Sequence, residues 1–591
     1  MDEPQEPWPA EGRPVLAESA ALRAALERAE AGLDFKSNKE ILLKDLLPDV
    51  AEQHLMVQQE GRGAWTLMLP GAGGEALFVG NALSGTIQAL ARIGYRVCIA
   101  DTDPERLAWA ALRDAALIAG RTHGVRIAGD GPPPFQPASF DLVVLEPSLP
   151  GNDHPWAADP RPWQALTRDL YVRIADNPWA YKNATGVRGR FRIQSPVSWL
   201  QSGLAPAPGA ASRAQLRRET GDFAQAETVA LYPHRLECSH VVHLDQTLPR
   251  RTVGTKERRN LLKVVGHRLG AFPRLTPSLA VLASRQRGPA RLHQALRELQ
   301  TLGFGPLAEH AIEHLIATRG NLAVVHTLAP DGEPGVTLHV PLCAHKRRLI
   351  ELHYRALQEL SADANAPRVP RPIFCGEAAG LWLSVEERLP GISAPQLLEG
   401  SSAQIRLFSE VGRALPGLAR GPRRVLDAPL WQQWLAPRFD RAIRLCGRND
   451  TARNLRRMVD ESRERMLGQE FQPVLYHADL RPKHAQAQAD GSLVGLMDWG
   501  AYEPEFLPLV DLLHLVLHRR HAGSRAQWRA LLAGGLTDYE NQIIDGYCRD
   551  LGVTDDLRSG IAAMYPALTA GMAERNWEFS RPYWVHRIFG L

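Results

Sequence analysis

LYHADLRPKHAQAQADGSLVGLMDWG, residues Leu475–Gly500, is the stretch that decides the fold of the C-terminal half. Two apolar-alternating runs flank Asp490-Gly491, a dipeptide favoured in two-residue hairpin turns. Counting back from that turn pairs Ala489 with Ser492 and sets His484 opposite Met497, one residue from Asp498. The register therefore predicts that Asp479, His484 and Asp498 gather at the open end of one hairpin. Phosphoryl transfer needs one carboxylate to orient the attacking hydroxyl and accept its proton, and another to hold the metal that bridges the nucleotide phosphates. Asp479 suits the first, catalytic job; Asp498, with His484, suits the second. Either motif alone is equally well read as a turn carboxylate, but the pair at this spacing around a hairpin is not.

HxDLRPxx, a hairpin and then DWG is similar to the catalytic and metal motifs of aminoglycoside phosphotransferases and choline kinases, with Asp511 in PLVDLLH as a later acidic anchor. The segment RVPRPIFCGEAAGLWLSVEERLPG (Arg368–Gly391) resembles the one leading through the interlobe hinge of that family. The resemblance implies a bilobal, protein-kinase-like α+β domain over 307–591, with an N-lobe over about 307–390 and a C-lobe over about 391–591. It also implies ATP with Mg²⁺ or Mn²⁺ as cofactor. Three positions depart from the family pattern. His339 in VTLHVPL stands where the nucleotide-binding, phosphate-contacting lysine is expected, and His353 in RLIELHYRALQEL where its glutamate partner is expected. An imidazole of ordinary pKa ~6.5 is charged only about a quarter of the time at pH 7. Losing one such electrostatic contact costs on the order of 10²–10³ in rate. The third departure is His484, in place of an asparagine that ligates a second Mg²⁺; imidazole favours a softer metal than magnesium. These residues allow a weak kinase, a kinase using other residues, or a catalytically degenerate module that binds a ligand or scaffolds an acceptor.

From Trp65 to about Gln286, short apolar runs alternate with helical patterns. ALFVG, YRVCIAD, GVRIAGD, FDLVVLE, LYVRIAD and SLAVLAS are the strand candidates, and the alternation predicts a parallel, helix-covered α/β sheet of Rossmann-like type. LFVGNALSG ends a strand and opens a helix, and the next strand ends at Asp101. Gly80, Ala82 and Gly85 make a GxGxxG with its middle glycine replaced, a weak signal alone. Gly129-Asp130 closes a third strand and Pro137–Leu149 forms a fourth. This order resembles class I S-adenosyl-L-methionine-dependent methyltransferases over residues 46–286. By that resemblance Gly80 and Gly85 line the methionine end, Asp101 the ribose, Asp130 and Gly131 the adenine, and Glu146 the mouth facing the acceptor. Asp153 or His154 lies where a base for a hydroxyl acceptor would stand, although a surface-loop histidine is the plainer reading of His154. Two alternatives stay open: a nicotinamide dehydrogenase, which would keep the second glycine for a pyrophosphate, and a Rossmann-like domain with a vestigial pocket. IADNPWAYKNATGVRGRFRIQSPVSW and ETVALYPHRLECSHVVHLD resemble segments of methyltransferase-like proteins encoded with bacterial surface-glycan synthesis, which implies a sugar, glycan or small-molecule acceptor.

The remainder sets limits. At 591 residues the chain exceeds one hydrophobic core, and it divides into an extension (1–45, with a helix around Val15–Leu33), residues 46–286, a linker with a short helix (287–306) and 307–591. Lys and Arg number 69 against 65 Asp and Glu, so a net charge of +4 leaves no nucleic-acid footprint. Six scattered cysteines without a CxxC pair argue against a disulfide framework or a structural zinc. No apolar run reaches the roughly 20 residues that span a bilayer, which predicts a cytoplasmic protein without stable membrane insertion. HAIEH, at His310–His314, reads as a metalloprotease-like pair of imidazoles on a helix but lacks a third ligand. His514, His518 and His521 are expected on a helix behind the site, and the basic run at 250–263 reads as a solvated helix face.

Overall fold

Strands formed from long apolar runs are buried on both faces, and that is how the N-terminal half assembles. The computed structural model describes residues 60–575 except 72, 118–119, 129–131, 148–155, 157–158, 181, 186–189, 194, 208, 233, 236–237, 245–274, 287, 319–321, 343, 399, 447–449 and 519–534. Outside the described residues lie the N-terminal extension, Asp130 and Gly131, Asp153 and His154, the basic run and His521. The chain forms two compact units, one of Met1–Cys343 with Gly376–Leu383, the other of Ala344–Cys375 with Ser384–Leu591.

The strands of the first unit are β1 (Gly74–Val79), β2 (Tyr95–Asp101), β3 (Thr122–Arg126), β4 (Phe140–Leu145), β5 (Thr167–Asp176), β6 (Lys182–Thr185), β7 (Arg190–Ile193), β8 (Gln225–Tyr232), β9 (His240–His243), β10 (Ser278–Ser284), β11 (Ala311–Thr318), β12 (Leu322–Leu328) and β13 (Pro334–Pro341). Five of the six apolar runs singled out in the sequence form strands almost end to end, whereas GVRIAGD contributes only Gly124–Arg126 to β3. From its β3 edge the sheet runs in the order β3-β2-β1-β4-β5-β10-β8-β9-β11-β12-β13, with two further strands beyond β13. Neighbours from β3 to β5 are parallel. Beyond β5 the expected parallel sheet becomes mixed, because β10, buried at every residue, runs antiparallel to both β5 and β8. β9 and β11 then pair at Val241–Leu315 and His240–Ile316, so the sheet continues past residue 306 without a break.

The helix Arg291–Thr301 follows β10, with Leu292, Leu296 and Leu299 buried. Arg291, also buried, donates to the carbonyls of Ile93 (2.6 Å), Ala379 (3.2 Å) and Gly380 (2.9 Å). The HAIEH histidines are not on a helix: a 3₁₀ turn ends at Glu309 and Ala311–Thr318 is strand β11. Its alternation is blurred because Ile312–Leu315 are all buried, and a bulge between Ile312 and His314 breaks the pattern further.

The second unit is mainly helical. Helices Ala344–Ala362, Ser402–Ala414, Ala436–Cys446, Asp450–Met466, Val510–His518, Asp538–Leu551 and Asp555–Arg575 contribute to a core that includes Phe408, Phe439, Phe471 and Trp499. Among the described residues no helix is long and apolar enough to cross a membrane.

Candidate functional sites

The hairpin of Ala485–Ala487 and Leu493–Leu496 carries the C-terminal site. Its loop has three residues rather than two: Gln488 N donates to Ser492 O at 2.9 Å, and Gly491 takes a positive φ of 87°. A shift between Gln486 and Ala487 restores the register, giving Ala485 opposite Leu496 and Met497 N donating to His484 O at 2.9 Å. His484 thus sits where the count from Asp490-Gly491 puts it.

Ligand atoms of Asp479, His484 and Asp498 all lie within 4.8 Å of one another. Asp511, buried on the helix Val510–His518, accepts from the backbone N–H of His477 (2.7 Å) and of Ala478 (3.1 Å). These two hydrogen bonds fix the loop that presents Asp479, with Ala478 at a φ of 67°. Asp479 is paired with Arg481, and His514 Nε2 lies 3.5 Å from its Oδ1. Burial opposes its charge, but Arg481, His514 and His484 hold the carboxyl well below the usual carboxylate range. His514 faces the site instead of packing behind it; its Nδ1 meets Tyr565 Oη at 2.5 Å. The sequence reading gave no role to Arg481 and placed His514 behind the site, although His514 follows the anchor Asp511 by three residues and so shares its helix face.

His484 fixes the metal chemistry. Its Nδ1 lies 2.7 Å from the carbonyl oxygen of Asp479, which only accepts, so the ring proton is on Nδ1. Nε2 then points a lone pair at Asp498 Oδ2, 3.0 Å away and not aligned for a hydrogen bond. Burial lowers the imidazole pKa despite the opposing pull of Asp498, so a proton is disfavoured between them. A divalent cation with mixed nitrogen and oxygen ligands fits that gap, and imidazole makes Mn²⁺ a better match than Mg²⁺. Asp498 itself is 54% exposed and held well below its usual pKa, with burial outweighed by His484 and Lys483.

Trp499 and His477 lock the site from behind. The indole is fully buried, donates to Leu496 O at 3.1 Å and has its ring centroid 4.4 Å from that of His477. Trp499 N donates to His353 Nδ1 (3.0 Å), which leaves the His353 proton on Nε2, 2.6 Å from Glu386 Oε2. His353 is therefore tied to the loop of Asp498 by one hydrogen bond and to Glu386 by another. His339 lies on β13 of the first unit, opposite Val324 of β12. His477 receives the N–H of Asp479 on Nδ1 (3.4 Å) and sets Nε2 2.9 Å from Met497 O. Burial, then the neighbouring His484, pushes its pKa down from 6.5 to about 4. Between those values the unfolded chain binds more protons, so stability present at pH 7 is lost as pH falls from 6.5 to 4. The loss for metal-free protein should be about 3 kcal/mol from this ring, read as a urea-midpoint shift that His477→Gln reduces.

In the first unit, Gly80 ends β1 where a Cβ would stand 2.4 Å from Glu146 O, so only glycine permits this approach of β1 to the end of β4. Gly85 opens the helix Gly85–Arg92, capped by Ser84, whose hydroxyl also lies 3.0 Å from Glu146 Oε1. Glu146 is thus buried under this cap rather than at an open mouth. Asp101 is buried too, and its oxygens accept from Ala82 N (2.8 Å), Asp103 N (3.0 Å) and Arg106 (2.7 and 2.9 Å). The acid expected at a ribose is engaged in holding the glycine turn. Asn81, also buried, accepts the Leu83 N–H on its Oδ1, while its Nδ2 has no hydrogen-bond partner among the described residues.

A scan of protein-family models finds no match to this chain, and neither does a search of curated proteins. Solved structures do resemble it in part. The macrolide 2'-phosphotransferase type I is 16% identical over 47% of this chain and 92% of that one, with a TM-score of 0.33. An aminoglycoside-3'-phosphotransferase of type VIII is 17% identical over 47% and 99%, TM-score 0.30. The choline kinase LicA from Streptococcus pneumoniae is 15% identical over 44% and 80%, TM-score 0.28.

Proposed function

We propose that the second unit is a divalent-metal-dependent phosphotransferase that passes a phosphoryl group from ATP to a hydroxyl of a small molecule, sugar or glycan. The observation that carries this reading is the convergence of Asp479, Asp498 and the His484 lone pair within 4.8 Å, held by Asp511. Asp479 orients the acceptor hydroxyl; His484 and Asp498 hold the cation, which when bound neutralises charge on the nucleotide phosphates. Calorimetry with ATP should show tighter binding with Mn²⁺ than with Mg²⁺. His484→Asn, which exchanges imidazole for a hard oxygen, should shift that preference at least tenfold toward Mg²⁺. Absence of metal-dependent nucleotide binding with either ion would overturn the reading. Binding without turnover would favour the alternative, a module that retains ligands for another activity.

A second reading concerns the first unit. The order β3-β2-β1-β4-β5-β10-β8, with β10 antiparallel between two strands of the other direction, supports an S-adenosyl-L-methionine-dependent methyltransferase. Gly80 and Gly85 would line the methionine end, with Asn81 Nδ2 as an additional donor. Asp130 and Gly131 remain the proposed adenine contacts. Because Asp101 is committed to Arg106 and Ala82, Asp101→Ala should cost on the order of 2–4 kcal/mol in unfolding free energy, besides any loss of cofactor affinity. Urea unfolding beside adenosylmethionine titration measures both, and no heat with the wild-type chain would sink this second reading.

A further inference from the structure

From Asp511 to Leu517 the helix Val510–His518 is apolar at every position but two, Asp511 and His514. Leu512, Leu513, Leu515 and Val516 are all buried. A polar ring set into such a helix costs stability unless polar groups meet it, and His514 has one at each end. Its Nδ1 lies 2.5 Å from the hydroxyl oxygen of Tyr565, a buried residue of the helix Asp555–Arg575. Its Nε2 lies 3.5 Å from Asp479 Oδ1.

The two oxygens of Asp479 are thereby divided between two side chains: Arg481 pairs with Oδ2 and His514 faces Oδ1. The terminal torsion of an aspartate is broad and roughly two-fold, so one partner alone sets the carboxylate plane loosely. A second partner on the other oxygen fixes it. The same helix also fixes the backbone, because Asp511 accepts from the N–H groups of His477 and Ala478. It packs both on the turn Pro482–His484 and on the helix Asp555–Arg575. An ionised carboxylate accepts on several lone pairs, so these contacts leave room for an acceptor hydroxyl.

We propose that His514 is a positioning residue for phosphoryl transfer, an inference that rests on the phosphotransferase reading of this unit. Tyr565 donates to Nδ1, the ring carries a proton on Nε2, and that N–H holds Asp479 Oδ1 in the plane from which the carboxylate receives the hydroxyl. A hydroxyl can donate whereas a carboxylate only accepts, so a proton on Nε2 suits both neighbours. At 3.5 Å the contact is still open, and active-site hydrogen bonds of this kind tighten when substrate is bound. His514 keeps its Nε2 proton throughout. The hydroxyl proton passes to Asp479 as the acceptor oxygen bonds to the γ-phosphorus, and the bond to the β–γ bridging oxygen breaks with its electron pair leaving on ADP.

Phosphate release from Mn²⁺–ATP by the full chain, with water as the acceptor, tests this. The amide of asparagine ends near the place of Nδ1 and that of glutamine near the place of Nε2. His514→Asn therefore keeps only the Tyr565 contact, and His514→Gln only the one with Asp479. His514→Asn should lower kcat by about 10²-fold with the KM for Mn²⁺–ATP within about threefold of wild type. His514→Gln should recover at least about tenfold of that loss. Tyr565→Phe removes only the hydroxyl that sets the tautomer and should lower kcat by about tenfold; it stands in if the asparagine variant melts early. A kcat within about threefold of wild type in the variant so used, equal losses in the asparagine and glutamine variants, or a loss carried by KM overturns the proposal and leaves the phosphotransferase reading standing. A wild-type chain that binds Mn²⁺–ATP but releases no phosphate overturns both.

Discussion

Asp479→Asn should slow ATP consumption by about 10²–10⁴-fold while metal–nucleotide affinity changes only a few-fold. The expectation rests on what surrounds the carboxylate. Arg481 and His514 hold the Asp479 carboxyl well below the usual carboxylate range, and the proposed mechanism asks it to receive a hydroxyl hydrogen bond and orient the nucleophile. Asparagine keeps the shape and removes the charge. Phosphate release measured beside nucleotide calorimetry separates the outcomes. A rate within about tenfold of wild type would remove Asp479 from the chemistry, whereas a wild-type chain that binds but never turns over would make this a retention module.

The second large effect is structural. Trp499→Ala should destabilise the second unit by about 3–5 kcal/mol, with loss of metal binding in parallel. The side chain is wholly buried, its N–H is spent on Leu496 O, and its ring covers His477. Its backbone N–H also anchors His353. Trp499→Phe refills most of the volume but leaves the Leu496 carbonyl without its donor, so it should cost about 1–3 kcal/mol. Chemical unfolding of the three proteins orders these effects, and an alanine variant as stable as wild type would mean that the loop of Asp498 is held by something else.

Much of this was legible in the residues because burial on both faces leaves continuous apolar runs. Five of the six runs so identified became strands and the sixth gave part of β3, and the count from Asp490-Gly491 reached the right partner for His484 even though the loop has three residues. The agreement arose because the shift at Gln486 compensates the extra loop residue. What stayed hidden depended on partners far away in sequence. His514 approaches Asp479 only through tertiary packing, and Arg106 claims Asp101 although the pair sits where a ribose acid was expected. HAIEH deceived through its i, i+4 spacing, which a strand with both faces buried does not contradict. β8 and β9 escaped because QAETVALY and HVVH mix polar residues into strands whose partners, β10 and β11, come later in the chain.

The unbroken sheet of the first unit bears on how the protein can be dissected. A chain stopped at 306 would bare the backbone of β9, and one begun at 307 would bare β11 at Leu315 and Ile316, each an open template for intermolecular pairing. The fragment stopped at 306 would also keep Arg291 while losing the Ala379 and Gly380 carbonyls that accept from it. Residues on both sides of 306 belong to one hydrogen-bonded ladder. Testing the two proposed sites separately is therefore better done by point substitution than by truncation.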